Sequence, residues 1–154
     1  MLGRAYDVLA ANRLGEALFG GLSEDNLVLA LFLDPAARQL YADWPLVAAN
    51  TVAGLRLAQG AWGEAPRVRA VVDRLLQDSP EFARLWQRND ARGKTLEVKR
   101  FRHPEVGLLT LGMQSFDVRA APGQQLVVYS AEPGSGSAEG LALLGSVAAT
   151  EAAG

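Results

Sequence analysis

Tyr6 to Gly20 reads YDVLAANRLGEALFG, and the change of period inside it decides how the rest of the chain is read. Tyr6 to Leu9 has the apolar content of a short strand, which breaks at Asn12. Asparagine bonds its own backbone readily, so it ends one element and starts the next. A short helix follows with Ala17 and Leu18 turned inward, and Gly20 is placed to close it as a left-handed cap that carries no steric cost. A strand that hands over so quickly to a helix implies a fold of mixed class.

The middle of the chain has a helical period. Asp34-Pro35 and Asp43-Trp44-Pro45 each set a capping carboxylate ahead of a proline suited to a first helical turn, so two helices are expected to start there. In the second, Val47, Thr51, Leu55, Ala58 and Trp62 fall on one stripe. Arg67 to Gln77 repeats the pattern with Val68, Val71, Val72, Leu75 and Leu76. Asp78-Ser79-Pro80 then stops that helix and caps another, whose Phe82, Leu85, Trp86 and Asn89 share a face and whose indole is expected to point at the sheet. Leu27 to Leu33 is apolar all round, which fits a buried helix better than a strand.

After Gly93 the period changes to two. Leu96 to Lys99 alternates, His103 to Gly107 has the content of a tight connection, and Leu108 to Val118 is a long strand with Leu109, Leu111 and Met113 on one face. Pro122-Gly123 turns the chain into a third strand, Gln125 to Ala131. Three consecutive strands with short turns make an antiparallel meander. Glu132 to Ser137 is a loop, and Ser137 is read as the N-cap of a last helix carrying Leu141, Leu144 and Ala148 on one side. Thr150 to Gly154 is expected to fray. No repeat or linker divides the 154 residues, so residues 1–154 are read as one domain, large enough to bury roughly 70% of the surface its unfolded chain exposes.

Composition excludes more than it suggests. The absence of cysteine removes disulfides, thiolate metal sites and thiol nucleophiles together, and it is compatible with a reducing, cytoplasmic setting. A single histidine, His103, leaves no multi-histidine metal centre, and no metal or other cofactor is implied. No apolar run has the length of a membrane span. The formal net charge of −2 argues against a dedicated nucleic-acid binder. One window is basic, with Arg88, Arg92, Lys94, Lys99, Arg100 and Arg102 against Asp90 and Glu97; it reads first as a solvated strand edge guarded by charge, and second as an anion contact.

Catalytic motifs fail one by one. Gly93-Lys94-Thr95 has Arg88 where a phosphate loop needs glycine, and it leads into a strand. His103-Pro104-Glu105 lacks the cysteines of a zinc deaminase. No Gly-x-Ser-x-Gly elbow occurs, and the Gly134/Gly136 pair lacks a third glycine. The chain is therefore read as no enzyme. What stands out is aromatic bulk: Tyr41, Trp44, Trp62, Phe82 and Trp86 in the helical half, Phe101, Phe116 and Tyr129 in the sheet. Such residues form ordinary core, or they wall an apolar pocket between helices and sheet with Asn12, Arg88, Asn89 and Tyr129 at its rim. His103 reads as a turn residue or as one that faces a ligand.

Nearly the whole chain, through DVLAANRLGEALFG, FLDPAAR, YADW, SPEFARLW, KRFRHPEVG and YSAEPGS in that order, resembles the ligand-binding domain of MmyB-like transcription regulators of bacteria. The resemblance implies an α+β, PAS-like antiparallel sheet packed against several helices, and the strand, asparagine, short helix and glycine of residues 6–20 are also how PAS-type sensors begin. It implies a small apolar or acyl-chain ligand, for which the aromatic and polar residues read above, Asn12, Tyr41, Trp44, Trp62, Phe82, Trp86, Asn89, His103 and Tyr129, are the candidate contacts. DNA would be bound through an N-terminal helix-turn-helix domain, which this chain is expected to lack because the sensor follows Met1 directly. Three positions depart from the family pattern: Ala11 stands for a tryptophan, Asn89 for a histidine and Leu108 for an acidic residue. A roomier pocket follows if Ala11 lines it. A homodimer is allowed. The alternatives are a stand-alone protein interaction module with a closed core and a small enzyme acting on an acyl substrate.

Overall fold

The computed structural model describes residues 1–88 and 98–151. Asn12 starts a helix as expected: its Oδ1 accepts from the Gly15 N–H at 2.9 Å and opens α1 (Arg13–Phe19). The stretch before it is not a strand. Tyr6 adopts φ +68°, which interrupts extended backbone, and only isolated bridges form around it, Asp7 with Asn26 and Val8 with Leu2. Gly20 is not a left-handed cap either. Its φ is −62°, and the chain leaves α1 through a tight turn in which the Leu22 N–H bonds the Phe19 carbonyl.

Helices α2 (Leu27–Leu33) and α3 (Pro35–Leu40) follow at once. Buried Asn26 caps α2 by accepting from the Val28 and Leu29 N–H groups, both at 3.0 Å. Asp34 ends α2 and caps α3 by accepting from the Ala36 N–H. Its other oxygen accepts from the backbone and hydroxyl of Ser23, and the backbone bond above all holds this carboxyl below its ordinary range.

In α4 (Trp44–Trp62), Pro45 lies in the first turn, but Asp43 does not cap it. The carboxylate is taken by Arg100, at 2.7 and 2.5 Å, and the guanidinium bonds pull its pKa down. A bidentate pair in which both partners are charged outcompetes a single bond from a backbone N–H where both are in reach. Pro66 opens α5 (Pro66–Asp78), and Ser79 caps α6 (Pro80–Gln87) through the Phe82 N–H. On α5, Val68, Val71, Val72 and Leu75 are buried as the period required, whereas Leu76 turns outward.

Strands β1 (Val98–His103), β2 (Gly107–Asp117) and β3 (Gln125–Ser130) form the expected antiparallel meander, in the order β1-β2-β3. β1 includes His103, so the first turn is shorter than the sequence suggested. Gly107 and Gly123 take φ +76° and +90° at the turns. On the inner face Phe101, Leu109 and Leu111 are fully buried; on the outer face Leu108, Phe116 and Leu126 are exposed.

Helix α7 (Gly136–Glu151) returns across the inner face and buries Leu144 there. Its start is two residues earlier than expected. Ser135, not Ser137, accepts from the Ala138 N–H, and Ser137 Oγ accepts instead from the Thr110 N–H of β2 at 2.8 Å, level with the end of β3.

The fold is α+β, with seven helices and a three-stranded sheet among the described residues. Two buried clusters hold it together. One joins Phe101, Leu109 and Leu111 of the sheet to Leu18, Tyr41, Trp44 and Leu144. The other lies among α2, α4, α5 and α6, around Val28, Leu55, Val71, Leu75 and Phe82. Phe32 packs against both.

Candidate functional site

The N-terminal stretch, α1 and β3 leave a cleft of about 640 Å³ between them. β3 contributes Leu126, Val127, Val128 and Tyr129 in succession, so the cleft follows the edge of the strand and not one of its faces. Helix α1 supplies Leu14, Leu18 and Phe19, the first residues supply Leu2 and Val8, and Leu22 and Leu141 close the wall. Asn12, Glu16, Glu24 and Asp25 are the side chains that bring polarity to it. Glu24 is held from outside by Arg74 at 2.7 Å.

Long-range bonds keep the wall apart from β3. Leu2 and Gln125 exchange both backbone hydrogen bonds, at 2.8 and 2.9 Å, which ties the chain start to one end of the strand. Arg4 donates to the Pro122 carbonyl and lays its guanidinium 4.3 Å from the centre of the Trp62 ring. Buried Asn26 donates to the Ala5 carbonyl at 2.7 Å and to Asp7 at 3.0 Å, and Asp7 is gripped by Arg67, whose hydrogen bond is the main reason its pKa falls. Behind the cleft, Tyr129 packs at 5.8 Å from Phe19 and 5.6 Å from Phe101. Burial pushes its phenol pKa up and keeps it a neutral donor.

Of the candidate contacts, Asn12 and Tyr129 meet at this cleft, and Ala11 lines it. Tyr41 is buried at 5.3 Å from Phe101. Trp44 is buried, donates its indole N–H to the Leu31 carbonyl at 2.9 Å and carries Arg38 over its ring. Phe82 is buried among the helices, and Trp86 stacks on it at 5.2 Å under the guanidinium of Arg56. The indole of Trp86 therefore joins the helical cluster, against the expectation that it points at the sheet. Trp62 is half-buried beneath Arg4. None of the three tryptophans lines this cleft.

His103 is buried at the end of β1. Its Nδ1 accepts from the Glu105 N–H, so Nε2 carries the proton and donates to the Ala17 carbonyl at 3.1 Å, fastening the β1–β2 turn to α1. It lines a second depression, of about 540 Å³, with Arg13, Glu105 and Val147. Leu108 is exposed on the outer sheet face, away from both. Asn89 lies outside the described residues, as do Asp90, Arg92, Lys94 and Glu97 of the basic window.

Residue-by-residue reading missed Leu2, Val8, Leu14, Leu22 and Val127. Leu126 to Tyr129 is apolar without alternation, yet its burial alternates, with Leu126 and Val128 exposed on the outer face, so the run of apolar residues gave no local signal for the cleft. Among the described residues no cluster of His, Asp and Glu could hold a metal ion, and no helix is long and apolar enough to cross a membrane. The sequence model of a family described as MmyB-like transcription regulator ligand binding domain matches residues 1–144. No curated protein matches the chain.

Proposed function

The chain belongs to the family of MmyB-like transcription regulator ligand binding domains, and from that premise we propose that the cleft between α1 and β3 is where it senses its ligand. A regulatory ligand-binding role comes with the family; the finer reading is a small apolar or acyl-chain molecule. The observation that carries it is a cleft of about 640 Å³ with an aliphatic lining, a size typical of sites that enclose a small molecule, roughly 300–1,000 Å³. Asn12 and Tyr129 are the polar and aromatic contacts in this reading. Tyr41, Trp44, Trp62, Phe82, Trp86 and His103 hold the walls, and Ala11 leaves room that a larger residue would fill.

The domain is PAS-like in this account: the bridges of Leu2 with Val8 and with Gln125 set two N-terminal stretches beside the meander, and the helices cover one sheet face. It acts as one unit, in the cytoplasm, without catalysis, and reaches DNA through a helix-turn-helix domain that is not part of residues 1–154. Self-association as a homodimer fits the uncovered outer sheet face. A panel of acyl compounds tests the site by thermal shift, with Ala11→Trp as the blocking variant. A ligand at a hundred times its Kd stabilises the wild-type fold by about 2.7 kcal/mol, and the filled variant stays folded without responding. An equal response from both proteins, or none from wild type across the panel, would refute the assignment.

A further inference from the structure

Between the sheet and α4 stand hydrogen-bond donors that no protein acceptor answers among the described residues. Lys99 and fully buried Phe101 alternate with Arg100 along β1, so both lie on the inner face. Lys99 is half-buried there, with its Nζ 5.9 Å from the centre of the Tyr129 ring and no described carboxylate paired with it. Asp43, at the start of α4, is spent on Arg100. On α4 itself the Nδ2 of Asn50 is buried without a partner. The spacing of Asp43, Val47, Asn50 and Gly54 sets them on one side of the helix. Asp43 reaches Arg100 of β1, and Val47 belongs to the sheet cluster, so this is the side turned toward β1. Tyr41 and Tyr129 complete the group. Tyr41 forms an isolated bridge with Phe101, and burial, then the neighbouring Tyr129 phenol, push its own phenol pKa up. Both hydroxyls stay protonated, and neither bonds a described acceptor.

An ammonium taken out of water needs a counter-charge, and a buried amide N–H without an acceptor costs its desolvation in full. Every group in this set is a donor and one is charged, so the partner that answers them is an anion that only accepts, as a carboxylate does. Burial lowers the Lys99 pKa to about 8, which still leaves the amine protonated at pH 7. The inner face is not sealed at this end. Leu111 is fully buried, but further along β2 Met113 is half-buried and Ser115 is exposed, so a solute reaches the group from solvent. Met113 stands opposite Tyr129 in the ladder, and the two offer an apolar bed beside the ammonium. We infer that Lys99, Asn50, Tyr41 and Tyr129 form an anion site, separate from the α1–β3 cleft, that takes the carboxylate of a small aromatic acid. Lys99 supplies the charge, the Asn50 amide and the two phenols orient the carboxylate oxygens, and the Tyr129 ring meets the acid's own ring. Tyr129 also lines the cleft; Lys99 and Asn50 do not. With one lysine on this face of β1, a singly charged carboxylate is better matched than a doubly charged phosphate.

The test titrates benzoate and benzamide, which share a size and differ in charge, into the isotope-labelled full chain. Benzoate should move the side-chain amide signals of Asn50 and the Cε signal of Lys99 in the NMR spectrum, and benzamide should bind at least about tenfold more weakly. Lys99→Met and Asn50→Leu each remove a donor that the empty fold leaves unanswered. Each should therefore raise Tm while it weakens benzoate, by about tenfold or more for Lys99→Met and about three- to tenfold for Asn50→Leu. A side chain that only packs gives the reverse, a lower Tm on replacement. Ala11→Trp fills the cleft and should bind benzoate as the wild type does, which separates this site from the cleft. Equal binding of the two probes, benzoate that leaves the Asn50 and Lys99 signals unmoved, or a Lys99→Met variant that binds benzoate normally would overturn the anion site. So would benzoate binding that disappears in Ala11→Trp, which would place the acid in the cleft, and so would the absence of benzoate binding at millimolar concentration.

Discussion

The helical half around Phe82 and the cleft beside β3 are both lined by apolar side chains and end in opposite states. Among the helices, Phe82, Phe32, Trp86 and Trp44 meet edge to face or stacked at 5.1 to 5.7 Å, and arginines cover the rings that reach the surface. Beside β3, leucines and valines from α1 and the first residues face a strand that has no neighbour among the described residues along most of one edge. Large flat side chains close space, because each fills volume that several partners share. Aliphatic walls held apart by remote hydrogen bonds leave it open. Among the helices aromatic bulk marks where the fold is complete; the cleft has Phe19 and Tyr129 on its walls and aliphatic side chains along the rest of its apolar lining.

The largest expected effect falls on the closed half. Phe82→Ala should cost about 3–5 kcal/mol in denaturant unfolding; a loss below about 1 kcal/mol would mean that the helical cluster is not the closed core described. Asn26→Ala strikes the link between the halves, since it frees the Val28 and Leu29 amides and the Ala5 carbonyl at once. A cost of about 2–4 kcal/mol is expected. Because Asn26 anchors the cleft wall, ligand affinity should fall in the same variant even under conditions where it remains folded.

A pH titration sharpens the contrast from the sheet side. Burial lowers the Lys99 pKa to about 8 from 10.5, so its charged form is disfavoured in the fold. Between these values the unfolded chain holds a proton that the folded chain has released, and stability should rise with pH, by something on the order of 2–3 kcal/mol at most. Above pH 10 the buried phenols of Tyr41 and Tyr129, whose pKa values are raised in the fold, reverse the slope. Lys99→Met should flatten the rise between pH 8 and 10. A rise that persists in that variant would place its source elsewhere.

The smallest effect belongs to the open half. Leu14 is partly buried on the cleft wall, and Leu14→Ala should cost less than about 1.5 kcal/mol because the site is already partly open. The same variant should weaken ligand binding more than it weakens the fold. Equal losses in Leu14→Ala and Phe82→Ala would erase the distinction between the two regions.

How much of this was legible follows the range of the interactions. Helices announced by a local cap and a proline, at Asp34-Pro35 and Ser79-Pro80, are where the sequence put them, and so is the meander, whose turns are short. Tyr6 to Leu9 failed as a strand because Tyr6 takes a left-handed backbone, with its hydroxyl set against α4 where Gly54 has no side chain. Asp43 and Ser137 failed as caps because partners far along the chain, Arg100 and Thr110, claimed them. The cleft failed to show for the same reason. It depends on Leu2 meeting Gln125 and Arg4 meeting Pro122, pairings between the first residues and the β2–β3 turn that no local pattern encodes, while the tryptophans that drew attention to the helices went into packing.

The most direct test of the cleft as the ligand site is amide hydrogen exchange, residue by residue, on the chain with and without a compound that raises its Tm. The account predicts new protection at Val127 and Tyr129 and along Leu14 to Phe19, with α5 and α6 unchanged. Protection concentrated around Trp62, Phe82 and Trp86, with β3 exchanging as before, would contradict it.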